Sequence, residues 1–333
     1  MFEKENSSDR DESWKKHEFL NFLGIFLKNR GLIGIDFCCD VISYLKDNWD
    51  CIICQNISTL IGIYEISYLK RKKIPYYIEV DGRFAKDGRG IKEWIKKMTI
   101  SGAKGYFSTA EETDKYLVTY GADERNIYRY PFSSLREGEL LKEPLNQTEK
   151  KALRIKLGLP ETPIILSIGQ FIPRKGFDVL LRSIPKVKKD ATYVIIGGNE
   201  PQEYVNLIHE NKIENVIFLP FMLPEKLSEY FKAADFFVLP TREDIWGLVI
   251  NEAMAFGLPV VTTDRCIAGL EMVRDKYNGI IVPVDDECAL VNAINCLLQN
   301  DLYMLGSNSI SVAKQYTVEM MADRHIEILK GYK

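Results

Sequence analysis

Histidine is nearly absent from this chain. Only His17, His209 and His325 occur in 333 residues, and no two of them stand at ligand spacing. That scarcity argues against a histidine-built zinc centre or a Ser-His-Asp relay, because both need imidazoles at defined separations. Long apolar runs are missing as well. Nothing approaches the ~20 consecutive apolar residues that span a bilayer, and the opening "MFEKENSSDRDESWKK" lacks the apolar core of a secretory signal, so the cytoplasm is the expected compartment. Of seven cysteines, only Cys51 and Cys54 in "CIIC" have redox-like or metal-like spacing. They sit inside the apolar run "WDCIICQN", away from any helix start and without a second ligand pair, so buried strand thiols are expected. A basic surplus is lacking too. With 44 Lys and Arg against 47 Asp and Glu, and no recognition motif, nucleic acid is not an expected partner. No internal repeat or low-complexity tract occurs.

What is present is a large core. Hydrophobic residues make up 46% of the chain, enough for two domains of ordinary size. Short apolar runs alternate with amphipathic segments, the pattern of α/β architecture with parallel sheets. In the second half, strands are expected at 163–169, 191–198, 215–220, 234–240, 258–263 and 279–284. Helices are expected between them at 176–184, 201–210, 224–233, 247–256 and 286–299, which completes a Rossmann-like domain. The first half is fainter, with strands at 51–54, 76–80, 105–108 and 126–130 and helices near 58–70, 90–100 and 109–120. The polar stretch "SSLREGELLKEPLNQTEKK" (133–151) has the composition of a linker. The expected domains are therefore 1–145 and 146–312, followed by a closing segment, 313–333, whose apolar stripe can pack on either domain or back on the first.

Two loops carry chemistry. In an open α/β sheet, ligands bind beyond the carboxyl ends of strands, where helix N-termini offer free N–H groups and partial positive charge. "REDIWGLVINEAMAFGLPVV" (242–261) leads from a strand into such a helix. Gly247 leaves its first turn open, the Leu248 and Val249 amides can point at a phosphate, and Glu252 on the same helix can accept from vicinal ribose hydroxyls. Asp244, eight positions earlier, can hold a second sugar across the diphosphate. Carboxylates at such places also stabilise a helix by about 0.3–1 kcal/mol with no ligand at all, and this reading stands beside the first. In "SIGQFIPRKGFDVLLRSI" (167–184), Gly169 permits close backbone approach, and Arg174 with Lys175 precedes a helix starting near Gly176. Two cations at the positive end of a helix repel its dipole, and a bound anion relieves that repulsion.

These two motifs, "GQFIPRKG" and "DIWGLVINEAMAFGLPVV", resemble the donor half of family 4 retaining glycosyltransferases of the GT-B fold, over about 163–284. The first half is similar to the same group at "IPYYIEVDGRF", "STAEETDKYLVTYGA" and "IYRYPF". The resemblance implies two Rossmann-like domains facing a cleft. It implies a nucleotide diphosphate-sugar donor, a saccharide or lipid-linked saccharide acceptor, and a role in bacterial capsule or surface polysaccharide. It places Gly169, Arg174, Lys175, Gly198, Met222, Gly247, Leu248, Val249 and Glu252 at the nucleotide-sugar, with the loop "PFMLPE" (220–225) bordering the base and Asp244 at the transferred sugar. Arg174, Lys175 and the helix N-termini take the leaving diphosphate's charge without metal or cofactor. Asp81 of "EVDGR" stands in where the family often has histidine.

The chain departs from the family in three places. Gln170 replaces the usual arginine after the loop glycine, which makes Arg174 the second cation. Asp244 replaces glutamate, with Glu243 beside it. The opening lacks the usual first strand and glycine loop, so an amino-terminal shortening of about 40–50 residues, one β-α-β unit, is expected. A catalytically inactive or impaired nucleotide-sugar-binding protein is the alternative these departures leave open. A nucleotide-sugar epimerase is another, although the histidine and carboxylate pairs for its acid-base steps are missing. Residues 70–104 hold eleven Lys and Arg against four Asp and Glu, which suits either an anionic membrane surface or a solvated basic face.

Overall fold

The computed structural model describes residues 23–25, 27, 38, 40–47, 49–86 and 88–331. The opening stretch through 22, with His17 and the expected shortening, lies outside them. The chain divides into two compact units. The first runs to Val80 and includes Ala85–Ser108 and Asp114–Tyr128; the second takes in Asp81–Phe84, Thr109–Thr113 and everything from Arg129 onward.

In the first unit, α1 (Val41–Tyr44) precedes β1 (Ile53–Cys54), α2 (Leu60–Lys72), β2 (Tyr77–Val80), α3 (Ile91–Ile100), β3 (Gly105–Ser108), α4 (Glu111–Thr119) and β4 (Ile127–Arg129). The strands form one sheet in the order β1-β2-β3-β4, with β1, β2 and β3 parallel. Residues of β2 and β3 are almost all buried, so these strands read as continuous apolar runs rather than alternating ones. Thr59 caps α2 by accepting from the Gly62 N–H at 3.1 Å, and Lys70, Arg71 and Lys72 sit in its last turn, where cations favour the dipole. Cys54 is buried and donates its thiol to Glu65 at 3.4 Å. Burial, reinforced by the charge of Glu65, pushes that thiol far above its ordinary range, so it is no thiolate. On α3, Ile91 and Trp94 are 77% and 63% exposed, beside the exposed Arg89, Lys92 and Lys97. Among the described residues no helix is long and apolar enough to cross a membrane.

In the second unit a 3-10 turn at Glu137–Glu139 precedes α5 (Gln147–Leu157). Then follow β5 (Ile164–Ile168), α6 (Phe177–Ser183), β6 (Thr192–Ile196), α7 (Gln202–Glu210), β7 (Val216–Leu219), α8 (Pro224–Ala233) and β8 (Phe236–Leu239). The run closes with α9 (Leu248–Ala255), β9 (Val260–Thr263), α10 (Ile267–Met272), β10 (Gly279–Val282), α11 (Glu287–Gln299), α12 (Leu302–Ala313) and α13 (Val318–Lys330). Its six strands are all parallel in the order β10-β9-β8-β5-β6-β7. Alternate strand residues feed two cores. Leu166, Val194 and Phe237 face one layer of helices, while Ile165, Ile195, Phe236 and Val238 face the other. Chain order runs outward both ways from the β5–β8 pair, so the strand order reverses there. Such a switch point opens a crevice at the carboxyl ends of the two strands.

The stretch read as a linker is not one. Asn146 and Glu149 form a reciprocal capping box that starts α5. One of the stretch's charges, Lys150, is buried together with Arg154 of the next turn: Asp235 accepts from Arg154 at 2.6 Å, from Lys150 at 3.4 Å and from the Ile164 N–H at 2.8 Å. Further upstream, 129–137 is held by α13. Leu135 accepts from the Val318 N–H at 2.8 Å, Glu319 accepts from the Glu137 N–H at 3.0 Å, and Arg324 donates to the Arg129 carbonyl at 3.1 Å. The closing helix thus packs on a segment of its own unit.

Candidate functional site

The two motifs meet at the switch point. Beyond β5, the Gly169 N–H donates to the Ile196 carbonyl at 2.9 Å, and the chain turns through a 3-10 turn at Pro173–Lys175. Gly176 follows at φ +69, and a Cβ there would lie 2.0 Å from the Pro240 carbonyl oxygen. Only glycine lets the two loops approach so closely. Beyond β8, Arg242 fastens them together. Its N–H donates to the Arg174 carbonyl at 2.8 Å, and its guanidinium reaches the Pro173 carbonyl at 2.6 Å, both oxygens of Asp178 at 2.9 and 2.8 Å, and Asp285 at 2.7 Å. Burial raises the Asp178 carboxyl, but hydrogen bonds from Arg242 and Arg182 outweigh it and hold the group below the usual carboxylate range.

On this base stand the charged side chains. Lys175 donates to Asp244 Oδ2 at 2.5 Å, with the two side chains 12% and 8% exposed. The Arg174 guanidinium donates to the Glu243 carbonyl at 2.7 Å and lies 3.5 Å from the other Asp244 oxygen. Asp244 is fixed by its backbone, donating to the Arg265 carbonyl at 2.8 Å and accepting from the Ile267 N–H at 3.2 Å. Gly247 then takes φ +97, where a Cβ would meet Cys266 Sγ at 2.9 Å, and α9 begins with no side-chain cap. The Leu248 and Val249 N–H groups have no acceptor among the described residues, as expected of a first helical turn.

Glu252 is half-buried on α9, with no hydrogen bond or ion pair to its side chain among the described residues. Burial first, then the charge of Glu139, pushes its carboxyl up to about 7. Its neighbour Asn251 is spoken for, accepting from Trp246 at 2.9 Å and donating to the Phe132 carbonyl at 3.1 Å. Gly198 follows β6 at φ +133 with open space where a Cβ would stand. Met222, beyond β7, is only 8% exposed and belongs to the core, whereas Phe221 and Leu223 on either side are exposed. Asp81 is exposed and adjoins Gly82, whose missing Cβ would sit 1.5 Å from the Ile245 carbonyl oxygen.

Gly169, Arg174, Lys175, Gly198, Asp244, Gly247, Leu248, Val249 and Glu252 therefore gather along the carboxyl edge of one parallel sheet. The Met222 side chain does not join them, because it packs inward. Sequence reasoning missed Arg242 and Asp178. Their only signal is an arginine next to the acidic pair and an aspartate two residues past the loop glycine, and neither pattern names a partner.

Residues 162–300 match the family model described as "Glycosyl transferases group 1". Over 202 residues the chain is 31% identical to the D-inositol 3-phosphate glycosyltransferase of Xylanimonas cellulosilytica, covering 58% of this chain and 48% of that protein. The chain spans about half the length of the curated relatives it matches. Its backbone is similar to sucrose-phosphate synthase from Thermosynechococcus elongatus, at a TM-score of 0.71 and 21% identity, covering 88% of this chain and 76% of that one. It is also similar to Anabaena HepE in complex with UDP and glucose, at a TM-score of 0.67 and 17% identity, covering 81% and 76%. The chain has the α/β GT-B fold with parallel sheets, and its residues 162–300 are similar to the group 1 glycosyl transferases.

Proposed function

We propose that this protein transfers a sugar from a nucleoside diphosphate-sugar to a saccharide or lipid-linked saccharide acceptor, with retained anomeric configuration, in the synthesis of surface or capsular polysaccharide. The observation that carries this reading is Glu252. A helix gains little from a carboxylate there that is half-buried, pushed up in pKa and unpaired among the described residues, whereas two vicinal ribose hydroxyls are matched to two acceptor oxygens. The similarity to a protein crystallised with UDP and glucose supports the same ligand class.

In this reading Lys175 and Arg174, with the Leu248 and Val249 amides, hold the diphosphate. As the bond to the sugar breaks, the leaving diphosphate gains charge, and these fixed donors stabilise it more than they stabilise the donor itself. Arg174 does the work of the arginine replaced by Gln170, and Asp244 meets hydroxyls of the transferred sugar. Asp81 contacts the donor sugar or the acceptor hydroxyl. Gly198 and the 220–225 loop border the nucleotide, the latter through its backbone because Met222 faces inward. No metal or cofactor is assigned, and the protein works in the cytoplasm. Ile91 and Trp94, one turn apart on α3 and flanked by Arg89, Lys92 and Lys97, give it a peripheral hold on an anionic membrane.

A panel of nucleotide sugars offered to the full chain, followed by hydrolysis, transfer and calorimetry in chelator, tests the whole reading. One nucleotide sugar is expected to bind without divalent metal and to be turned over. Binding that returns only on adding magnesium contradicts the metal-free site, and binding without turnover favours an inactive binding protein.

A further inference from the structure

On the proposed reading, on which this inference rests, Lys175 and Asp244 address different parts of one donor, yet the structure binds them to each other at 2.5 Å. Arg174 leans on the same carboxylate at 3.5 Å. Asp244 cannot swing aside as a whole, because its backbone is pinned through Arg265 and Ile267, and Gly247 with Cys266 closes the space beneath it. A diphosphate seated on Lys175 therefore comes to rest beside a fixed negative charge.

We propose that Asp244 discriminates the sugar-bearing donor from the bare nucleoside diphosphate. In the donor, sugar hydroxyls donate to the carboxylate, and those charge-assisted bonds offset its repulsion of the phosphates. In the bare diphosphate the hydroxyls are gone and the terminal phosphate carries an additional ionisable oxygen. Both changes act in one direction. The carboxylate that helps to recognise the donor expels the spent nucleotide once the sugar has moved to the acceptor, so Asp244 specifies substrate over product.

Calorimetry on the full chain, with UDP, GDP and ADP each alone and each as its glucose conjugate, reads this directly. In Asp244→Asn the bare diphosphate is expected to bind about tenfold more tightly, since one like-charge contact is removed, and the conjugate about tenfold more weakly, since a charge-assisted acceptor is lost. Asp244→Glu keeps the charge and keeps the original order. Equal weakening of both ligands in Asp244→Asn, or an unchanged ratio, means that Asp244 only clamps Lys175 and overturns the inference alone. No binding of any probe by the unaltered chain overturns the proposed function and this inference with it. If Asp244→Asn shows no cooperative melt, Asp244→Ser decides: tighter binding of the bare diphosphate with weaker binding of the conjugate supports the inference, and equal changes for both overturn it.

Discussion

Glu252 is held in surroundings that resist its charge, and that has consequences on two axes. Because its carboxyl rises from an ordinary 4.5 to about 7 on folding, its protonated form stabilises the fold, fully so below the unfolded value. This contribution is lost as pH climbs through 7. The loss at high pH is on the order of 3 kcal/mol at most. Glu252→Gln, which stays neutral, is therefore expected to melt above the unaltered chain at pH 8, with the gap closing toward pH 4; thermal melts across that range check the sign. Donor affinity runs the other way. On the proposed reading the ionised carboxylate accepts the ribose hydroxyls, so binding is expected to weaken about tenfold per pH unit below 7, and Glu252→Gln to flatten that slope while losing roughly 1–3 kcal/mol of binding. A dideoxy nucleotide should show almost none of that loss. A helix-supporting role predicts equal losses for both nucleotides. The place of Glu252 on α9 was legible in the sequence because its helix phase and the glycine before it are written locally. Its pKa was not, because Glu139 reaches it through the fold.

The element scale belongs to Arg242. It ties the end of the β5 loop to the start of the β8 loop through Pro173, Arg174 and Asp178, so the cations that precede α6 are set by a residue from a different strand. Arg242→Ala is expected to weaken nucleotide binding about tenfold or more, the cost of losing one or two charge-assisted bonds, while Arg242→Lys, which cannot fork, recovers only part of it. Calorimetry with the nucleotide sugar that the panel identifies, beside thermal melts, separates this from simple unfolding. Periodicity alone reaches such elements unevenly. Strands such as Ile164–Ile168 and Thr192–Ile196 were readable because burial on both faces makes continuous apolar runs. Helix α5 was hidden because Lys150 and Arg154 look solvated until Asp235, some eighty positions away, is folded onto them. The capping box of Asn146 and Glu149 was the local sign that a helix began there.

Across the whole molecule, charge is unevenly spread. A chain with a net charge of −3 carries eleven basic and four acidic residues between 70 and 104. The structure assigns part of this to the helix terminus at Lys70–Lys72, and leaves Ile91 and Trp94 exposed amid the rest. Co-sedimentation with phosphatidylglycerol vesicles is expected, absent with phosphatidylcholine alone and reduced by salt. Trp94→Ala should lower vesicle binding severalfold without lowering the melting temperature, because a side chain 63% exposed supports little of the core. Binding indifferent to both Trp94 and salt would leave only a solvated basic face.

The grip of α13 on residues 129–137 bears on how relatives of this chain can exchange parts. A crossover at 145/146 respects α5 and its ion pairs, yet it inherits 129–137 from one parent and α13 from the other, so the bonds through Leu135, Glu137 and Arg129 must be met by unmatched partners. Placed after Leu157, it leaves Asp235 buried with the Lys150 and Arg154 of a foreign sequence, where a missing partner costs about 3–5 kcal/mol. A seam just before Arg129 keeps both sets of bonds within one parent. Chimeras joined there retain the loops after β5 and β8 and the helix α13 as a single heritable block.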